Sequence, residues 1–149
     1  MEPQSPTGPV TAAVAMDAIT AAIRRAEELR VRVSAAIVDS GGNLKAFLRM
    51  DGAEIAGATL AIDKAYTAVA NRIATHELGK LTQPGQSLFG LHSGAGGRYT
   101  IYGGGIPIVF HDEVVGAIGV SGAAAEQDVE CATAGAGSAH DSLSKGLSV

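Results

Sequence analysis

Two pairs of short apolar runs, each pair joined by a tight polar turn, constrain this chain more than any other feature. Residues 33–38 end at Asp39-Ser40-Gly41-Gly42-Asn43 and residues 44–48 follow; later, residues 106–110 and 114–120 flank His111-Asp112-Glu113. Each pair reads as a β-hairpin, because the runs are short and apolar, the first of them rich in β-branched residues, and the first turn is built of residues that tolerate sharp bends. Asp39 is placed to accept hydrogen bonds from the amides of its own turn. Strands that arrive in adjacent pairs, rather than alternating with helices, predict an antiparallel sheet with helices packed on it, an α+β layer fold. A short strand at residues 99–102 brings the expectation to five.

Helical spacing fills the intervals. Residues 10–29 place Val14, Ala18, Ile19, Ala22, Ile23, Ala26 and Leu29 on one stripe, with Thr11 as N-cap and an Arg24–Glu28 pair on the solvated face. Residues 54–78 are helical again, as one long or two short helices with Gly57 suggesting a break near the start, and residues 124–143 form a last helix. Between them, residues 82–97 carry Pro84, Gly85, Gly90, Gly94, Gly96 and Gly97, the chemistry of a long loop and a candidate lid. With 27 alanines and only 4% aromatic residues, the core must come from backbones that approach closely. Gly116 and Gly119 in the last strand read as such points of approach.

A length of 149 residues suits one domain, here 10–149 behind a disordered Pro-, Ser- and Gly-rich tail at 1–9. A formal net charge of −4 gives no basic footprint for nucleic acid. No run reaches the roughly 18 apolar residues of a membrane span, and the first residues lack the basic start and apolar stretch of a secretory signal. The single cysteine, Cys131, excludes an internal disulfide and agrees with a cytoplasmic setting.

Several residues carry chemistry. Lys64 lies in a helix otherwise lined with Ala, Ile and Val; a desolvated ammonium there suits proton transfer or anion binding, whereas a snorkelling stem would make it a surface lysine. Arg49 and Asp51 flank a polar loop and are placed either to fix a ligand and hold Lys64 or to pair with each other or a neighbouring subunit. His92 in the glycine-rich loop and His76 at a helix end suit haem iron or acid–base work, and Tyr99 and Tyr102 serve as oxygen ligands, aromatic walls or packing. Gly104 and Gly105 offer backbone amides, and Ser121 ends a strand that runs into a helix N-terminus, where an anion would be favoured. No histidine pair has zinc-site spacing, so no metal site is expected.

Four strings together resemble one family: Asp39-Ser40-Gly41-Gly42 followed by Arg49-Met50-Asp51; Lys64-Ala65-Tyr66; Gly104-Gly105-Ile106-Pro107-Ile108; and Gly119-Val120-Ser121-Gly122 with Gln127-Asp128. They are similar to the GlcG/HbpS family, which includes haem-binding proteins and the C-terminal domain of PduO-type proteins. The resemblance implies a profilin-like α/β/α sandwich with a five-stranded antiparallel sheet, homo-oligomer assembly, a small-molecule ligand and haem as cofactor.

The leading expectation is a small cytoplasmic haem- or tetrapyrrole-binding protein with haem-degrading activity. Its rival is a small-molecule enzyme, an isomerase, lyase or hydrolase, with Lys64 and Asp51 as catalytic groups and Arg49, His92, Tyr102, Gly104, Gly105 and Ser121 binding the substrate. A third expectation is a non-catalytic oligomeric sensor or assembly module.

Overall fold

The computed structural model describes residues 1–2 and 8–146. The tail at 1–9 and the chain end at 147–149 lie largely outside the described residues. Among the described residues four α-helices and four strands follow in the order α1 (Ala12–Glu28), β1 (Ser34–Asp39), β2 (Leu44–Arg49), α2 (Ile55–Asn71), α3 (Thr75–Leu81), β3 (Gly105–Phe110), β4 (Glu113–Ser121) and α4 (Ala125–Ser144), with two short 3-10 turns, Leu91–Ser93 and Ala95–Gly97, between α3 and β3. Both hairpins form, and the sheet is antiparallel throughout with strand order β2-β1-β4-β3. Asp39 makes the turn as its chemistry dictates: its Oδ1 accepts the amides of Gly41 at 2.9 Å and Asn43 at 3.0 Å.

Alternation then sorts the side chains into two cores. Ala35, Ile37, Ile118 and Val120 face α1 and α4, whereas Ala36, Val38 and Ala117 face α2. The central strands are buried on both sides, so the molecule has three layers, helices, sheet and helices. Thr11 caps α1, its hydroxyl accepting the Val14 amide at 3.2 Å. The surface pairs differ from expectation. Arg25, not Arg24, binds Glu28, and it also reaches Glu130 on α4 at 2.8 Å, so the contact ties two helices together.

The sheet has four strands, not five. Residues 99–102 are irregular chain ending in a bend at Tyr102 rather than a strand, because their neighbours in space are helices with side-chain acceptors. The Thr100 amide donates to Thr67 Oγ1 at 2.9 Å, and the Gly105 amide donates to Thr75 Oγ1 at 2.9 Å. Threonine hydroxyls of α2 and α3 thus satisfy donors that a strand would place in a ladder. The second helical stretch also breaks later than Gly57 suggests. Arg72 closes α2 in the left-handed region at φ 57°, and α3 begins three residues on. Gly57 instead lies inside α2, where an added Cβ would stand 3.0 Å from the Ser121 carbonyl.

Gly119 explains how α2 lies so close to the sheet. A Cβ built there would overlap the Ala61 carbonyl, so the helix backbone rests on the strand backbone with no side chain between. That contact carries the helix bearing Lys64 down onto the centre of the sheet.

Candidate functional site

Lys64 is the largest fully buried side chain of the described residues, 1% exposed. An ammonium removed from water needs compensation, and this one has it. Its Nζ donates to the Val120 carbonyl at 2.9 Å and to Asp128 Oδ2 at 3.1 Å. Asp128 is as deeply buried, and its Oδ1 accepts the Ala123 amide at 3.0 Å. The pair therefore joins α2, the end of β4 and the first turn of α4. Burial pushes the Lys64 ammonium below its ordinary pKa, resisted by Asp128 and then Glu54. Burial pushes the Asp128 carboxyl up, resisted by Lys64 and by the Ala123 and Gly122 amides. With every near oxygen engaged, the geometry is that of an ion pair.

Residues 100–105 lie over this pair as a strap. Gly104 has φ 128°, and a Cβ there would meet Lys64 Nζ at 2.8 Å and overlap the Val120 carbonyl. Only glycine lets the strap cross at this height. Tyr102, half exposed, holds its ring 5.3 Å from Nζ, a cation–π contact. Burial, and after it the negative charges of Asp63 and Glu54, pushes its phenol up.

Two hollows border the strap. The larger, about 400 Å³, is walled by Leu60, Tyr99, Ile101 and Tyr102, with Asp63 and His92 at its polar edge. Asp63 holds Arg98 at 3.0 Å, Arg98 stacks on Tyr66 at 3.9 Å and Tyr66 stacks on Tyr99 at 6.2 Å, which fastens the preceding loop to α2. The smaller, about 270 Å³, lies between α3 and α4 and is lined by His76, Gly103, Ala125, Glu126 and Val129.

The structure thus brings Lys64, Tyr102, Gly104, Gly105 and Ser121 together; Ser121 is buried one residue beyond the carbonyl that binds Lys64. His92 reaches the larger hollow from an exposed turn, Leu91–Ser93. Arg49 and Asp51 do not join them. The Arg49 guanidinium binds the Ala53 carbonyl at 2.6 and 3.1 Å, and both residues line a separate hollow beside α1 with Glu27 and Arg32. Lys64 takes its carboxylate from Asp128 instead. Of the amides expected to hold an anion, three are committed: Gly105 N to Thr75, Ala123 N to Asp128 and Ala124 N to Gln127 Oε1 at 3.2 Å. Cys131 is packed in the core, where burial pushes its thiol up to about 11.

Asp128, Asp63 and Leu60 are the site residues that pattern reading missed. Asp128 had a signal: it lies in the first turn of α4 four residues before Ala132 and three before Cys131, on the stripe that packs inward, and a buried lysine requires an acid.

Comparison with known proteins agrees with this architecture. Residues 10–137 match the family model described as HbpS-like, haem degrading protein HbpS-like. A 15.0 kDa protein of the dhaT-dhaS intergenic region of Citrobacter freundii is 41% identical over 119 residues, covering 80% of this chain and 84% of its own. The corrinoid adenosyltransferase PduO of the same organism is 43% identical over 112 residues, 75% of this chain but only 33% of that protein, so the likeness spans about a third of its length. A crystal structure of a PduOC–haem complex superposes with a TM-score of 0.81 at 36% identity, over 85% of this chain and 91% of that one.

Proposed function

This chain belongs to the HbpS-like family, and from that premise we propose that it binds haem or a related tetrapyrrole against the strap at residues 100–105. The observation that carries the proposal is the likeness to the PduOC–haem complex, at 36% identity and over nearly the whole domain. The local chemistry fits such a ligand. Leu60, Tyr99, Ile101 and Tyr102 give the larger hollow apolar and aromatic walls, and His92 and His76 offer imidazole nitrogens from either side of the strap. Bound haem would supply an iron centre for axial ligation. The chain's own part is to bind and orient: Tyr102 presents an aromatic face and a phenol that stays protonated, and the Lys64–Asp128 pair holds the strap's floor at fixed height.

Haemin titrated into the purified chain should give a Soret band that saturates at a fixed haem-to-chain ratio, and Tyr102→Ala should weaken binding. A spectrum that grows without saturating rejects the proposal. Degradation of the bound haem and a cytoplasmic setting belong to the same reading, and steady loss of the Soret band under a reductant in air tests the former. So does assembly into a homo-oligomer, supported by edge strand β2, which exposes Leu44, Phe47 and Leu48 at 50%, 39% and 38%. Sedimentation checks that element.

One observation favours a second reading, a small-molecule enzyme in which Lys64 moves a proton: the desolvated Lys64 stands one ring away from a cavity, behind Tyr102. In that case Lys64→Arg would abolish turnover of the substrate, and turnover retained in that variant would reject this reading.

A further inference from the structure

The hollow beside α1 takes no part in haem binding at the strap. It encloses about 300 Å³, at the lower end for a ligand pocket, and sets two arginines, Arg32 and Arg49, and two acids, Glu27 and Asp51, around an apolar floor of Ile23 and the buried Met50. Local structure fixes this grouping. Ile23 and Glu27 stand four residues apart on α1 and so share a face. The Met50 amide donates to the Val33 carbonyl at 3.0 Å, which leaves Arg32 and Asp51 as the next residues on either chain where the β1–β2 ladder opens.

Opposite charges gathered in one hollow ordinarily pair, and elsewhere on α1 they do: Arg25 takes both Glu28 and Glu130. Among the described residues, none of the four charged groups of the hollow is in an ion pair. Arg49 is held back by the Ala53 carbonyl, which accepts from Nε and Nη2, fixes the plane of the guanidinium and leaves Nη1 uncommitted. With two groups of each sign, the set is neutral as a whole. An anion would gain two guanidiniums but face two carboxylates, and a cation the reverse; a molecule carrying one charge of each sign satisfies all four. The adjoining hollow, about 260 Å³, shares Glu27 and Arg32 and adds Arg30, which follows α1 at φ 58°, so the positive pole lies on that side.

We propose that this hollow binds an aliphatic α-amino acid as its zwitterion, the carboxylate on Arg32 and Arg49, the ammonium on Glu27 and Asp51 and the side chain on Ile23 and Met50. Each ionic contact is open to water, so it contributes about fivefold in affinity or less, and selectivity comes from meeting both poles at once.

The test is an amide NMR titration of the full chain, without haemin, with L-leucine, with isocaproate, which lacks the ammonium, and with isoamylamine, which lacks the carboxylate. Leucine should give saturable shifts at the amides of residues 23–32 and 49–53, and each half-ligand should bind about tenfold more weakly or worse. Arg32→Gln and Glu27→Gln should each weaken leucine about threefold or more while melting near the wild-type temperature. The half-ligands need no substitution and decide the matter should a variant misfold. Leucine shifts that do not saturate, or that centre on residues 91–105, overturn the proposal. So does a half-ligand that binds as tightly as leucine, which would mark a site for one charge only, or an affinity unaltered in both variants. Haemin takes no part in the measurement, so failure of this proposal and failure of the haem reading are separate results.

Discussion

Removing one partner of the Lys64–Asp128 pair should destabilise the fold far more than removing both. The side chains are 1% and 3% exposed and meet at 3.1 Å. At an effective dielectric constant near 20, Coulomb's law gives an attraction of about 5 kcal/mol at that distance, against a desolvation penalty of several kcal/mol for each ion. The pair is therefore close to neutral as a unit, but a survivor left alone keeps the penalty without the attraction. Lys64→Met leaves Asp128 with its amide donors, and Asp128→Asn leaves the ammonium with only the Val120 carbonyl. Each should cost about 3 to 5 kcal/mol, the asparagine variant more, out of a total stability of about 5 to 15 kcal/mol for a domain. The double variant should lie within about 2 kcal/mol of wild type. Urea denaturation of the four proteins at neutral pH measures this, with the m-value checking that the transition stays two-state. Single variants that each lose less than about 1 kcal/mol, or costs that simply add, would refute the reasoning.

The same pair gives Asp128→Asn a pH signature. Burial lowers the folded pKa of Lys64 below its unfolded value, so between the two the unfolded chain holds more protons and stability rises with pH. The urea midpoint of Asp128→Asn should therefore be higher at pH 9 than at pH 7; a flat or falling midpoint contradicts a buried, stranded ammonium. Gly104→Ala should cost about 3 kcal/mol or more, read as a drop in melting temperature, since its Cβ meets Lys64 Nζ at 2.8 Å from a backbone at φ 128°. Thr67→Val removes the acceptor of the Thr100 amide and should cost about 1 to 3 kcal/mol, with faster amide exchange confined to the strap.

Much of the fold was legible because its causes are local. The hairpins follow from paired runs and turn chemistry, and the close approach at Gly119 from a glycine inside a strand; the apolar helix around Lys64 left burial and a snorkelling stem both open until the fold chose burial. The errors share the opposite cause. Residues 99–102 look like a strand until Thr67 and Thr75, remote in sequence, take the amides beside them. Arg49 and Asp51 look like partners for Lys64 because their motif lies near it in the chain, but the sheet turns them toward α1. The true partner, Asp128, is 64 residues away, and only the tertiary fold brings it within reach. His76 stood out in the sequence as a histidine at a helix end, but its unpartnered ring nitrogen is a property of packing.

Amide hydrogen exchange with and without haemin tests most directly where the ligand lies. The account predicts slowed exchange concentrated in residues 91–105 and at the start of α3 and α4. Protection confined instead to the hollow between α1 and β2, around Ile23, Leu48 and Arg49, would contradict it.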